Sequence, residues 1–161
     1  MSTTKIFIHG LESSSGGTKG VYFRAHFPDM IVEDFEGSFE NRMKKLNRLL
    51  LKKKDVVIVG SSYGGLMAAV YACEHTERVR KMILLAPALN LDEFAPYRAM
   101  TITLPVILFH GRFDDVVPPD EVRHIAGNVF SNLEYHLIDD DHPLRETFGE
   151  LDWERLLSAG D

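Results

Sequence analysis

The chain has little of what staples or anchors a fold. Cys73 is the only cysteine among 161 residues. That excludes an internal disulfide framework and any cysteine-based zinc site, and it fits a reducing compartment, so a cytoplasmic setting is expected. No run approaches the ~20 apolar residues that a membrane-spanning helix needs. The first residues, Met1 to Ile8, carry no long apolar stretch behind a basic start, so no signal peptide is expected either. Basic residues are in the minority, 18 Lys and Arg against 24 Asp and Glu, for a net charge of -6. That balance argues against non-specific nucleic-acid binding, which depends on basic surface to displace counterions. Internal repeats, low-complexity tracts and long Pro/Gly/Ser linkers are also missing. What remains, 45% hydrophobic and 26% charged residues at this length, describes one globular domain over residues 1–161 with its own core.

Short apolar runs ending in Gly or Pro set the architecture. Lys5 to Ile8 leads into His9-Gly10, Asp55 to Val59 into Gly60, Met82 to Leu85 into Ala86-Pro87, and Val106 to Phe109 into His110-Gly111. Continuous Val/Ile-rich runs, rather than alternating ones, mark strands buried on both faces of a parallel sheet. Weaker strands are expected at Met30 to Phe35 and Leu133 to Ile138. Between them lie helical patterns. Phe39, Met43, Leu46 and Leu50 recur at helical spacing, with Arg42, Lys44, Lys45 and Lys52 to Lys54 as a solvated face. Tyr63 to His75 is small and apolar, and Pro118-Pro119-Asp120 opens another helix. A last helix is predicted from about Pro143 to Leu157. The alternation predicts an α/β fold: a mostly parallel sheet of about six strands with helices on both faces and ligands at the carboxyl ends of the strands.

Chemistry concentrates at those strand ends. Gly60-Ser61-Ser62-Tyr63-Gly64 matches G-x-S-x-G between a buried strand and a small-residue helix, the context in which a sharp turn lifts a serine hydroxyl above a sheet. Ser62 is the candidate nucleophile; Ser61 is poorly framed, by Val59 and Tyr63. A serine needs a base. Of seven histidines, His142 is best placed, between the last strand and the last helix. His9 and His110 precede glycines at strand ends, where a ring braces a loop. The acid that orients the imidazole is sought in His110 to Pro118. Asp114 is the choice there, with Asp115 expected to face solvent or cap the turn. Two donors for an oxyanion are expected from the backbone N–H groups of Tyr63 and Leu11.

The motif at Gly60 to Gly64, the order Ser62, Asp114, His142, and the His9-Gly10 strand end together resemble the α/β-hydrolase superfamily. More narrowly the chain is similar to short bacterial esterases without a separate lid domain. The resemblance implies a minimal α/β-hydrolase fold lacking the first antiparallel strands, with Gly10 to Lys19 as the oxyanion loop and only Pro87 to Leu104 where relatives carry a cap. From so short a link, an open, shallow cleft is expected.

The sequence therefore reads as a serine hydrolase acting on small-acyl esters or thioesters through an acyl-enzyme, with no cofactor and no metal. No Gly-Lys-Ser/Thr, G-x-G-x-x-G or H-E-x-x-H is present to suggest otherwise. Phe35, Phe94, Tyr97 and Val116 are candidate substrate contacts beside Leu11. The rival readings are a non-catalytic binder on the same fold, or a C–C hydrolase or small peptidase with the same three residues.

Overall fold

The computed structural model describes residues 2–159. Strand β1 (Thr4–Ile8) is followed by α1 (Thr18–His26), β2 (Ile31–Val32), α2 (Phe39–Leu49), β3 (Val56–Ser61) and α3 (Tyr63–Glu74). Then come β4 (Val79–Leu85), a 3-10 turn (Asp92–Tyr97), β5 (Val106–Gly111), α4 (Pro119–Val129), β6 (Leu133–Ile138), a second 3-10 turn (Phe148–Glu150) and α5 (Trp153–Leu156). All six strands are parallel, in the order β2-β1-β3-β4-β5-β6. The chain steps outward from β1 to β2, then returns across β1 to β3, and that reversal opens a crevice between the carboxyl ends of β1 and β3.

Successive strand residues feed opposite faces. Ile6, Ile8, Val56, Ile58, Met82 and Leu84 pack with α2, α3 and α4. Phe7, Val57, Val59, Ile83 and Leu85 pack with Phe23 of α1 and with Trp153 and Leu156 of α5. Runs apolar at every position are thus consumed by two cores rather than one. Helix α3 is buried from Gly64 through Cys73, which is why its sequence shows no polar face. No helix among the described residues is long and apolar enough to cross a membrane.

Four expectations change. The strand expected at Met30 to Phe35 pairs only at Ile31–Val32, because beyond it the Asp34 carboxylate accepts the Ser15 N–H (2.7 Å) and the Phe35 N–H turns to His9 (2.9 Å). Thr18 and Lys19, the end of the expected oxyanion loop, instead open helix α1. The helix expected from Pro143 to Leu157 is absent except for α5. Asp140 takes the N–H groups of Glu146 (3.2 Å) and Thr147 (2.8 Å), and Leu144 sits at φ +54°, so the backbone cannot wind there. Arg42 does not belong to the solvated face. It is buried, its Nε–H donates to Gly37 O (3.0 Å), and its guanidinium lies 5.4 Å from the Tyr63 ring centre.

Candidate active site

Ser62 lies between the end of β3 and the start of α3 with φ +56° and ψ −114°, a conformation costly for any side chain. Neighbouring backbone over-determines it. The Ser62 N–H donates to Leu85 O (2.9 Å), and Ser62 O accepts from Gly65 (3.0 Å), Leu66 (3.2 Å) and Ala88 (3.0 Å). Glycine is required on either side because the turn presses three strand ends together. A Cβ on Gly64 would overlap the Ile8 and His9 carbonyls, and one on Gly60 would lie 2.5 Å from Gly64 O.

The His142 loop approaches from the far end of the sheet. Its Nε2 lies 3.0 Å from Ser62 Oγ and its Nδ1 2.6 Å from Asp114 Oδ2. An ionised carboxylate only accepts, so the imidazole proton resides on Nδ1 and Nε2 is left to accept from the hydroxyl. Asp114 is fully enclosed. Its Oδ1 accepts the N–H groups of Val116 (2.8 Å) and Val117 (2.7 Å), while its Oδ2 also faces His110 Nε2 at 3.2 Å. His110 Nε2 faces Val117 O as well (3.1 Å), so that nitrogen carries the proton; burial lowers the pKa of this imidazole and favours its neutral form. Asp115 is exposed.

The loop carrying His142 is pinned by a residue the sequence reading passed over. Asp140 is buried and accepts N–H groups from Asp141 (2.7 Å), Glu146 and Thr147. Burial alone would raise its pKa, but these hydrogen bonds outweigh it and hold the carboxyl below the usual aspartate value. The only signal was its place in the acidic run ahead of His142.

Across the crevice, Gly10 stands beside Ser62. A Cβ there would lie 3.4 Å from Ser62 Cβ. His9 braces this loop: its Nδ1–H donates to Gly10 O (2.7 Å) and its Nε2 accepts the Phe35 N–H. Neither the Leu11 nor the Tyr63 N–H has an acceptor among the described residues, and both residues line the cleft.

That cleft has a volume of about 1050 Å³ and stays open to solvent. Its walls come from α1 and the 143–149 segment on one side and from Ala88, Asn90 and Leu91 of the short link after β4 on the other. Leu11 and Val116 line it as exposed apolar residues. Phe35, Phe94 and Tyr97 do not. Phe35 is held in the core once its N–H is bound by His9, with Lys45 over its ring at 5.6 Å. Phe94 is buried where the first 3-10 turn meets α3, and the Tyr97 hydroxyl donates to Glu74 (2.6 Å) on that helix. Phe7, Lys19, Tyr22, Leu144 and Phe148 line the cleft instead.

A parallel sheet reversed at β1 and a strained serine turn at that reversal are features of the α/β-hydrolase class. The chain belongs to the family with the alpha/beta hydrolase fold, whose model matches residues 8–103. Asp114 and His142 lie beyond the matched span. Solved structures agree on the fold. Est1E from Butyrivibrio proteoclasticus is 18% identical with a TM-score of 0.77, covering 96% of this chain and 85% of its own. An esterase from Pyrococcus furiosus is 19% identical at TM-score 0.74, with 96% and 80% covered. A monoacylglycerol lipase from Paleococcus ferrophilus is 16% identical at TM-score 0.74, with 97% and 94% covered. No curated protein matches the sequence.

Proposed function

We propose that the protein is a serine hydrolase that cleaves esters or thioesters through an acyl-enzyme, as one lidless domain acting in the cytoplasm on a small molecule. The observation that carries this reading is the continuous series Ser62 Oγ, His142 Nε2, His142 Nδ1, Asp114 Oδ2, with contacts of 3.0 and 2.6 Å. His142 accepts the hydroxyl proton as Ser62 Oγ bonds to the substrate carbonyl carbon. The carbonyl π pair moves onto oxygen, where the N–H groups of Leu11 and Tyr63 receive it. Collapse of the tetrahedral species breaks the bond to the alcohol or thiol, which leaves with the proton from His142. Water then repeats the sequence: His142 takes its proton, hydroxide adds to the acyl carbon, and Ser62 departs reprotonated. Asp114 holds the tautomer throughout and stabilises the transient imidazolium.

The test is covalent labelling. A fluorophosphonate probe should modify the wild type and Ser61→Ala but not Ser62→Ala, with hydrolysis of p-nitrophenyl acetate and butyrate lost in parallel. Labelling that survives Ser62→Ala would place the nucleophile elsewhere and sink the reading.

A further inference from the structure

The cleft is not symmetrical about Ser62. Ala88, Leu91 and Val117 belong to it on the α2–α4 face of the sheet, whereas Phe7, Leu144 and Phe148 belong to it on the α1/α5 face. The second arm has a rigid aromatic floor. Phe148 is met edge-on by Tyr22 (5.2 Å) and Phe23 (5.5 Å), and its carbonyl accepts the Trp153 Nε1–H (2.9 Å).

Such a floor alone would take any hydrocarbon. Two polar groups beside it are not used up by the fold. Lys19 and Tyr22 lie three residues apart on α1 and therefore on one face. Of the three N–H bonds on Lys19 Nζ, one goes to Pro143 O (2.7 Å), and the ammonium stands 5.4 Å from the Phe148 ring centre. No carboxylate is within ion-pair distance of it among the described residues, and the Tyr22 hydroxyl has no hydrogen-bond partner there. Burial disfavours the charge of Lys19, with Asp141 and Asp140 supporting it only through space. A partly desolvated ammonium with unspent donors gains more from an arriving anion than a solvated one does.

We propose that the α1 arm is a subsite for an ester that carries an anion, such as a carboxylate, at the far end of an apolar group, with Lys19 and Tyr22 as the residues that read the anion. The inference rests on the esterase reading and narrows its substrate class. It also replaces a bare short acyl group by one with a long apolar body.

The test uses matched pairs. The p-nitrophenyl half-esters of adipate and suberate are compared with p-nitrophenyl hexanoate and octanoate, which lack the distal charge. The acetate ester of an ω-hydroxyhexanoate is compared with hexyl acetate, which puts the anion on the alcohol side. Wild type should favour the anionic member of at least one pair by about tenfold in kcat/KM. Lys19→Met should bring that ratio to about one, Lys19→Arg should restore most of it, and Tyr22→Phe should reduce it by roughly threefold. If Lys19 only ties α1 to Pro143, Lys19→Met slows both members alike and the ratio persists, which overturns the proposal. A wild-type ratio near one in every pair also overturns it while leaving the esterase reading intact. Should no ester turn over, that reading fails by itself, and calorimetric binding of the same pairs to Ser62→Ala decides the subsite. Equal affinities refute it; tighter binding of the anionic member upholds it.

Discussion

Replacing Asp114 by Asn tests the proposed relay at its most constrained point. The carboxylate has two loads: Oδ1 receives the N–H groups of Val116 and Val117, and Oδ2 faces His142 and His110. The amide oxygen of Asn can keep the first load, so the 111–118 loop should survive. Its NH2 group then faces His142 Nδ1. A donor cannot receive a donor, so the imidazole must switch tautomer and present an N–H to Ser62 where an acceptor is needed. A lesion of that kind in a serine triad costs up to roughly ten-thousand-fold in turnover, or about 5.4 kcal/mol of transition-state stabilisation. Asp115→Asn alters an exposed side chain, and a charge screened by water should change the rate by no more than about twofold. Both variants should be assayed on p-nitrophenyl butyrate, with circular dichroism to establish folding. A dead Asp115→Asn beside a working Asp114→Asn would refute the assignment. Equal small losses in both would reduce the proposed triad to a Ser–His pair.

Gly64→Ala should abolish activity and lower the thermal midpoint by several degrees, because its methyl group overlaps the Ile8 and His9 carbonyls and only backbone displacement relieves the contact. A fully active Gly64→Ala would show that the turn has slack. Asp140→Asn should cost about 1–3 kcal/mol at pH 7 by weakening the grip on three N–H groups. The folded-state pKa of Asp140 is lowered, so its contribution is present above the unfolded carboxyl value and disappears as pH falls through the folded one. Urea midpoints of wild type and variant should therefore converge on acidification below about pH 4, and a gap that widens there would contradict the sign.

What could be read from sequence followed from local chemistry. Strand β6 spans the expected Leu133–Ile138 because its neighbours Asn132 and Asp139 interrupt the pattern on either side. Helix α3 was legible from its small residues and the glycines before them. Helix α1 was not, since Thr18–His26 has no clear apolar stripe and is held chiefly by Phe23 in the aromatic cluster. The placement of Lys19 and Tyr22 on one helical face beside the cleft was hidden with it. The Pro143 to Leu157 spacing does suit a helix, and Leu144, Phe148, Trp153 and Leu156 do point inward. Tertiary capping by Asp140 decides the backbone there, and no local pattern encodes it. Phe35, Phe94 and Tyr97 were misplaced for a related reason: side-chain direction in irregular segments is set by distant partners such as His9 and Glu74.

The reversal at β1 also governs the order in which this site is assembled. Ser62 and both proposed oxyanion donors lie within the first two fifths or so of the chain, just past the ends of two strands that are adjacent in the sheet. The proposed orienting acid, Asp114, comes some fifty residues later, and His142 arrives only after β6 has been added at the opposite edge. A growing chain therefore holds the strained serine turn well before it holds the proposed base. Under the proposed mechanism, turnover begins only when the last strand has docked and the segment ending in α5 has packed beneath α1. Hydrolysis then reports the completeness of folding, and a nascent or C-terminally truncated chain carries an inert serine rather than an unguarded one.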